Sequence, residues 1–477
     1  MRYLKSYNQH SEYTLNETPD VSYFKTEKDV FYTRRKYDDE YLTFIAQESG
    51  TFTLTIGSGV TTGDVVSVSY SLDSGETWVT TNNIDSQQVV ITTPTVNAGD
   101  RVMWKGDATR MANGGVSNGI SRFSSTCNFI LRGNIMSLLY GDYFVDEVSL
   151  SGKGFAFFHL FSYCAKLLSA KNLSLPATTL AGNCYSYMFF QCTSLTEAPE
   201  LPAITLANSC YVYMFASCTS LTVAPKLPAI TLANSCYLYM FASCTSLTVA
   251  PELPATTLVG SCYYYMFYNC SSLTVTPELP AITLASYCYY CMFYNCKSLT
   301  VAPELPATTL SDNCYSNMFN GCSNLTVAPE LPATTLANSC YLYMFRDCAS
   351  LTTAPELPAV TLKTYCYNYM FVGCKNLQKC YMHAGLSDDN SSCTYFMFDG
   401  CKKLRDVKFV YYHIDANKFY YFGQFGEEAT NKKLTINDCS ALEDCDFINQ
   451  FVGWDAYCQG EYIGEIVGCG GGGYGYY

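Results

Sequence analysis

Apolar and polar positions recur with a fixed period between about Leu160 and Leu404. The phrase is Leu-Pro-Ala-x-Thr-Leu-x-x-x-Cys-Tyr-x-x-Met-Phe-x-x-Cys-x-x-Leu-Thr-x-Ala-Pro. Its first cysteine falls at Cys184, Cys210, Cys236, Cys262, Cys288, Cys314, Cys340 and Cys366, 26 residues apart each time. A degenerate unit follows at Cys393, and a partial one precedes at Phe161–Cys164. Such a period predicts a solenoid in which each unit buries its apolar face against its neighbours. Within a unit, the four-residue spacing of Cys184, Met188 and Cys192 predicts a short helix with these three on one face, flanked by Tyr185 and Phe189. Counting the first cysteine as zero, positions two, three, six and seven point outward, and these are the positions that differ between units. Leu195-Thr196-Glu197-Ala198 reads as a short strand stopped by Pro199 and Pro202, which cannot donate to a ladder. The expected buried stripe comprises Cys184, Met188 and Cys192, then Cys210, Cys218, Cys236, Cys244, Cys262 and Cys270.

The segment Met214-Phe215-Ala216-Ser217-Cys218-Thr219-Ser220-Leu221-Thr222 resembles the BspA type of leucine-rich repeat. The resemblance covers about half the chain. It implies a protein of the kind found on bacterial surfaces and in phages or prophages of gut bacteria.

Outside the repeats the pattern changes. From Gly50 it has period two, at Thr51–Ile56, Val65–Tyr70 and Val89–Thr92, with further candidate strands at Val102–Lys105 and Phe129–Arg132. Short strands separated by Gly, Asp and Asn turns predict a β-sandwich. Ser71–Trp78 resembles the Asp-box of sialidases, which implies a hairpin shaped by Asp73 and Gly75 over Trp78 and no catalytic role. The expected organisation is therefore a multidomain chain. Residues 1–45 form an N-terminal attachment arm, 46–148 a β-sandwich, and 149–406 a right-handed leucine-rich-repeat α/β solenoid. Residues 407–477 form a β-rich region ending in a Gly/Tyr tail.

Composition narrows the function. A net charge of −13 argues against nucleic-acid binding. No run of 18 apolar residues occurs, so no membrane insertion is expected. The first residues, Met1–His10, lack the apolar segment of a secretory signal. The chain has 26 cysteines, but the two in each unit lie eight apart, beyond reach of each other on a helix. Buried free thiols serving as small core residues are expected. His10, His159, His383 and His413 show no metal spacing, and Asp388-Asp389-Asn390 lacks the alternation of a calcium loop. No catalytic residue, metal or cofactor is expected.

Binding is the remaining class. Tyr187, Tyr213, Tyr239, Tyr265, Tyr343 and Tyr369 share one outer position among Ser, Asn, Gly and Thr, a mixture suited to recognition. They can equally pack on adjacent units. The expected function is a phage virion protein, a tail or head fibre or adhesin, assembled in the host cytoplasm. Its expected partners are a host-surface glycan or protein, other virion proteins through the N-terminal region, and further copies of itself. A bacterial cell-surface or secreted adhesin and a structural virion decoration are the alternatives.

Overall fold

The structure is a computed structural model. It describes residues 16–18, 21–25, 31–35 and then 37–469, apart from 62, 83, 85–87, 114–118, 361, 384–392, 411–420, 438, 440–441 and 443–444. The Asp388-Asp389-Asn390 loop, the Gly/Tyr tail from residue 470 and most of the N-terminal arm lie outside the described residues.

Three strands, β1 (Asn16–Thr18), β2 (Val21–Lys25) and β3 (Phe31–Arg35), form an antiparallel sheet in chain order. There follow β4 (Leu42–Ala46), β5 (Phe52–Ile56), β6 (Val65–Ser71), β7 (Val79–Asn82), β8 (Val89–Thr92), β9 (Arg101–Ala108), β10 (Arg122–Ser125) and β11 (Phe129–Asn134). A short helix, α1 (Ser137–Tyr140), leads to β12 (Leu167–Ser174). One sheet has the order β12-β11-β4-β9-β6-β7 and another β10-β5-β8. Alternation in β5 buries Phe52, Leu54 and Ile56 and leaves the threonines between them half-exposed, as period two requires. Phe44 gathers the rings of Phe52, Trp104, Phe123, Phe129 and Phe161 about itself at 4.8–6.0 Å. Between β6 and β7, Asp73 accepts hydrogen bonds from the Thr77 backbone and hydroxyl, and Gly75 adopts φ +91°. These bonds hold the Asp73 carboxyl down at about 2.

The sheet passes directly into the repeats. Strand β12 belongs to the partial first unit and pairs in parallel with β11, so the sheet edge is covered rather than exposed. Phe161 stacks on Phe123 on one side and on Phe189 on the other, each at 5.5 Å. The apolar core is continuous across this junction.

The expected helix is not formed. Residues 181–192 make a string of overlapping turns in which alternate N–H groups, those of Cys184, Ser186, Met188, Phe190 and Cys192, bond to the third residue back. The N–H groups between them leave the unit. Tyr185 donates to Cys210 O, Tyr187 to Val212 O, Phe189 to Met214 O and Gln191 to Ala216 O, at 2.8–3.0 Å. Asn183, Tyr187 and Gln191 take φ of 56–57°, at the third place of every second turn, where such a turn requires the left-handed region. The pattern returns in the later units, for example at Ser209, Tyr213 and Ser217. A four-residue period replaces 3.6, so Cys184, Met188 and Cys192 still share a buried side.

The strand is also reduced. Pro199 and Pro202 divide the extended segment into two single-residue bridges. One row runs Ser169–Glu197–Val223–Val249–Val275, and another pairs Thr257–Thr283–Thr309–Thr335. Continuous pairing returns only beyond the prolines. There β13 (Lys379–Met382), β14 (Asp406–Phe409), β15 (Lys433–Ile436) and β16 (Asp455–Cys458) pair in parallel, and β17 (Glu461–Glu465) closes the sheet antiparallel. A second short helix, α2 (Cys445–Ile448), lies in this region. Two disulfides, Cys439–Cys458 and Cys445–Cys469, staple it.

The repeat core is uniform. Cys184, Met188, Cys192, Cys210, Cys218, Cys236, Cys244, Cys262 and Cys270 are fully buried. Tyr185 and its equivalents to Tyr367 form one buried stack of near-parallel rings, and Phe161 to Phe398 form a second. The second cysteine of each unit has a specific task. Its thiol donates to the phenylalanine carbonyl of the preceding unit, as Cys218 Sγ does to Phe189 O at 3.1 Å and Cys244 Sγ to Phe215 O at 3.1 Å. A buried carbonyl with a second lone pair thus gains a partner, which no aliphatic residue of that size supplies.

Two expectations follow. Ser243 adopts φ 59°, where a β-branched residue is costly. Ser243→Val should lose about 1–2 kcal/mol in urea denaturation, and Ser243→Gly should not; equal losses would refute the turn geometry. Second, burial pushes the thiols of Cys184, Cys236, Cys270, Cys288 and Cys322 up to about 12. An unfolded thiol titrates near about 8.5. The folded array therefore keeps protons that the unfolded chain releases, so this stability is complete below about pH 8.5 and lost as pH rises toward 12. The urea midpoint should hold between pH 6 and 8 and fall steeply above 9. Thiol titration without reductant should find 22 free thiols, reactive only after unfolding; a native array that reacts at once would sink the buried-thiol account.

Candidate functional site

The turn strings of successive units lie side by side and present one face. Position three carries a ladder of half-buried rings. His159 stacks on Tyr187 at 4.4 Å, followed by Tyr187–Tyr213 at 4.7 Å, Tyr213–Tyr239 at 4.5 Å and Tyr239–Tyr265 at 4.6 Å, with planes within 14° of parallel. The ladder is interrupted at Cys291 and Asn317 and resumes with Tyr343–Tyr369 at 4.6 Å. Four of the six expected tyrosines are thus brought into one row and two into another.

Face-to-face stacking changes what these residues offer. Inside the ladder each ring face is covered by the next ring, so edges and hydroxyls are what reach solvent. Burial, with the neighbouring phenols and at Tyr265 the Cys291 thiol, pushes Tyr187 up to about 12 and Tyr239 and Tyr265 higher, so the hydroxyls remain hydrogen-bond donors at neutral pH. At the first rung, desolvation and the nearby Arg122 hold His159 down at about 4, so its ring is neutral.

Positions two and six are less exposed than a helix would leave them. Ser186, Ser316 and Asn368 are buried at position two, as are Ala216, Ala242 and Asn320 at position six. Close neighbours overhang small side chains there. Where those positions carry tyrosine, a second aromatic cluster appears. Tyr264 stacks on Tyr290 at 4.8 Å and Tyr268 on Tyr294 at 5.3 Å, and Tyr265 touches both Tyr268 and Tyr290. Tyr287 packs against Tyr290 at 5.7 Å. The sequence reading followed one column and missed this cluster; comparing adjacent columns in neighbouring units is the signal that finds it. Cys291, in the ladder column, is covered by these rings and 1% exposed.

The bridge row forms a different surface, with Val223, Val249, Val275, Val301 and Val327 all more than 45% exposed. Among the described residues no group of three His, Cys, Asp or Glu is placed to hold a metal ion. No helix there is long and apolar enough to cross a membrane.

No curated protein matches the chain. A family model described as a BspA type leucine-rich repeat region matches in overlapping stretches, 158–274, 209–325, 237–377 and 291–425. Together these span residues 158–425, more than half the sequence, and coincide with the stacked units and their buried Cys-Met-Phe-Cys core. The chain therefore belongs to the BspA type leucine-rich repeat family.

Proposed function

We propose that the protein is a non-enzymatic, adhesin-type binding protein carried on a phage particle, whose repeats contact a glycan or protein of the host surface. The family supports a surface-binding role. The observation that carries the reading is the division of labour within each unit. The Cys-Tyr-Met-Phe-Cys positions are buried in every full unit, while positions two, three, six and seven vary from Ser-Tyr-Phe-Gln in the first full unit to Tyr-Tyr-Tyr-Asn in the fourth. These positions lie outside the Cys-Tyr-Met-Phe-Cys core, so recognition can change without loss of fold. In this reading the N-terminal strands act as a sandwich that attaches the protein to other virion proteins. The repeats form a right-handed solenoid, and several copies work together on one particle.

A cell-surface or secreted adhesin is the second reading. The two C-terminal disulfides favour it, since such bonds persist where the surroundings are oxidising. Released virions meet the same conditions, so particle composition decides between them. Mass spectrometry of purified particles should find the protein, and its absence would reject the virion role.

The face itself is testable with the full chain. Tyr239→Ala with Tyr265→Ala should lower adsorption to host cells at least tenfold. Loss of stacked pairs should cost about 0.5–1.5 kcal/mol each. Val223→Ala with Val249→Ala, on the bridge row, should leave adsorption unchanged. Equal adsorption by wild type and the tyrosine double variant would remove this face from consideration.

A further inference from the structure

The repeat array ends in a change of charge. Two columns that precede the bridge row are neutral in every full unit. One runs from Ser194 to Asn376 and holds only Ser or Asn; the other runs from Thr196 to Gln378 and holds Thr until its last place. In the degenerate last unit the two columns end in Lys403 and Arg405, both exposed. Each cation is held by the residue before it in its own column. Lys403 Nζ donates to Asn376 Oδ1 at 2.8 Å, and Arg405 Nη2 donates to Gln378 Oε1 at 2.7 Å. These acceptors are neutral amides, so they position the two cations without cancelling their charge. Among the described residues neither cation is ion-paired, and the adjacent Glu428 carboxylate pairs with Lys402 at 3.5 Å.

The two cations line a hollow. Gln378, Lys403, Arg405, Glu428, Ala429 and Thr430 surround a cavity of about 240 Å³. One wall is the segment that follows the last unit, and backbone bonds fasten it there. Glu428 donates its N–H to Lys402 O at 2.9 Å, Ala429 to Gly426 O at 3.2 Å and Lys433 to Arg405 O at 2.7 Å. Gly426 enters this wall at φ +70°, and a side chain on it would press on Leu404 O. The space is smaller than the about 300–1,000 Å³ of sites for drug-sized ligands, so it admits one charged group and little more. Apart from Glu428, the polar side chains of the lining can all donate: the guanidinium, the ammonium, the Gln378 amide and the Thr430 hydroxyl. The chain as a whole carries −13, but screening over about 8 Å at physiological salt leaves the local charge in control at contact distance.

We propose that this hollow is an oxyanion-binding site that takes the phosphate or carboxylate group of a small ligand or of one sugar unit. Arg405 presents its planar donors to the anion, a geometry that suits both groups, and Lys403 adds a point charge beside it. Gln378 and Asn376 hold the two cations ready, and Thr430 closes the site from the following segment. The site is independent of what the tyrosine ladder contacts.

The full-length protein is titrated by calorimetry at constant ionic strength with inorganic phosphate, with glucuronate as the carboxylate and with glucose as the neutral control. At least one anion should bind and glucose should not, and the tighter of the two anions identifies the source of the oxyanion. Arg405→Gln and Lys403→Gln should each weaken that binding about tenfold, the loss of one hydrogen bond to a charged group. Lys226→Gln removes the same charge in the second full unit and should leave binding unchanged. Glu428→Gln should tighten it, a gain that a folding defect cannot produce. Absence of binding by both anions overturns the site. Equal weakening by Lys226→Gln also overturns it, since the attraction would then belong to the whole chain. Glucose binding as tight as that of either anion overturns the ligand class.

Discussion

Every second backbone N–H in the Cys-Tyr-x-x-Met-Phe-x-x-Cys segment is given to the neighbouring unit, and the rest of the repeat region depends on that gift. A helix keeps its N–H groups to itself; this segment cannot. To aim alternate groups outward, the chain enters the left-handed region every fourth residue, at about 1–2 kcal/mol for each non-glycine residue. Inter-unit hydrogen bonds contribute about 0.5–1.5 kcal/mol apiece. Burial of each large apolar side chain adds about 1.5–3 kcal/mol. The stacked array wins by burial, and one unit alone would carry the strain without the gain. The conformation is a property of neighbours.

The same constraint explains the cysteines. Units held together by backbone bonds leave room for only a small side chain near the phenylalanine carbonyl. That carbonyl already accepts one N–H, and the thiol supplies a second donor from the next unit. Sulfur here is a packing atom with a weak proton to give, and burial keeps it protonated. The disulfides are confined to the C-terminal region, where the repeat has ended and loops need closing.

Regular stacking also determines how the outer face can recognise anything. Identical residues in register consume one another's ring faces, so a perfect column of tyrosines is largely self-satisfied. Chemistry that needs an aromatic face becomes available where a column stops. Variation between units interrupts the columns: Cys291 and Asn317 break the tyrosine ladder, and Ser316 and Asn320 follow Tyr290 and Tyr294.

The 26-residue period, the buried Cys-Met-Cys stripe, the breaking effect of Pro199 and Pro202 and the tyrosine column were legible in the sequence, because each depends on spacing along one chain. Glycine, asparagine or aspartate at position seven in Asn269, Asn295, Gly321, Asp347 and Gly373 also signalled left-handed turns, though a four-residue spacing taken as helical hid it. What the sequence could not decide was where alternate N–H groups go, since helix and turn string both bury the Cys-Met-Cys stripe. Nor could it show that Tyr187 to Tyr265 cover one another's faces, or that Ser316 and Asn320 are buried at positions expected to face outward. Those outcomes depend on the distance between neighbouring units, and only the packed tertiary structure sets that distance.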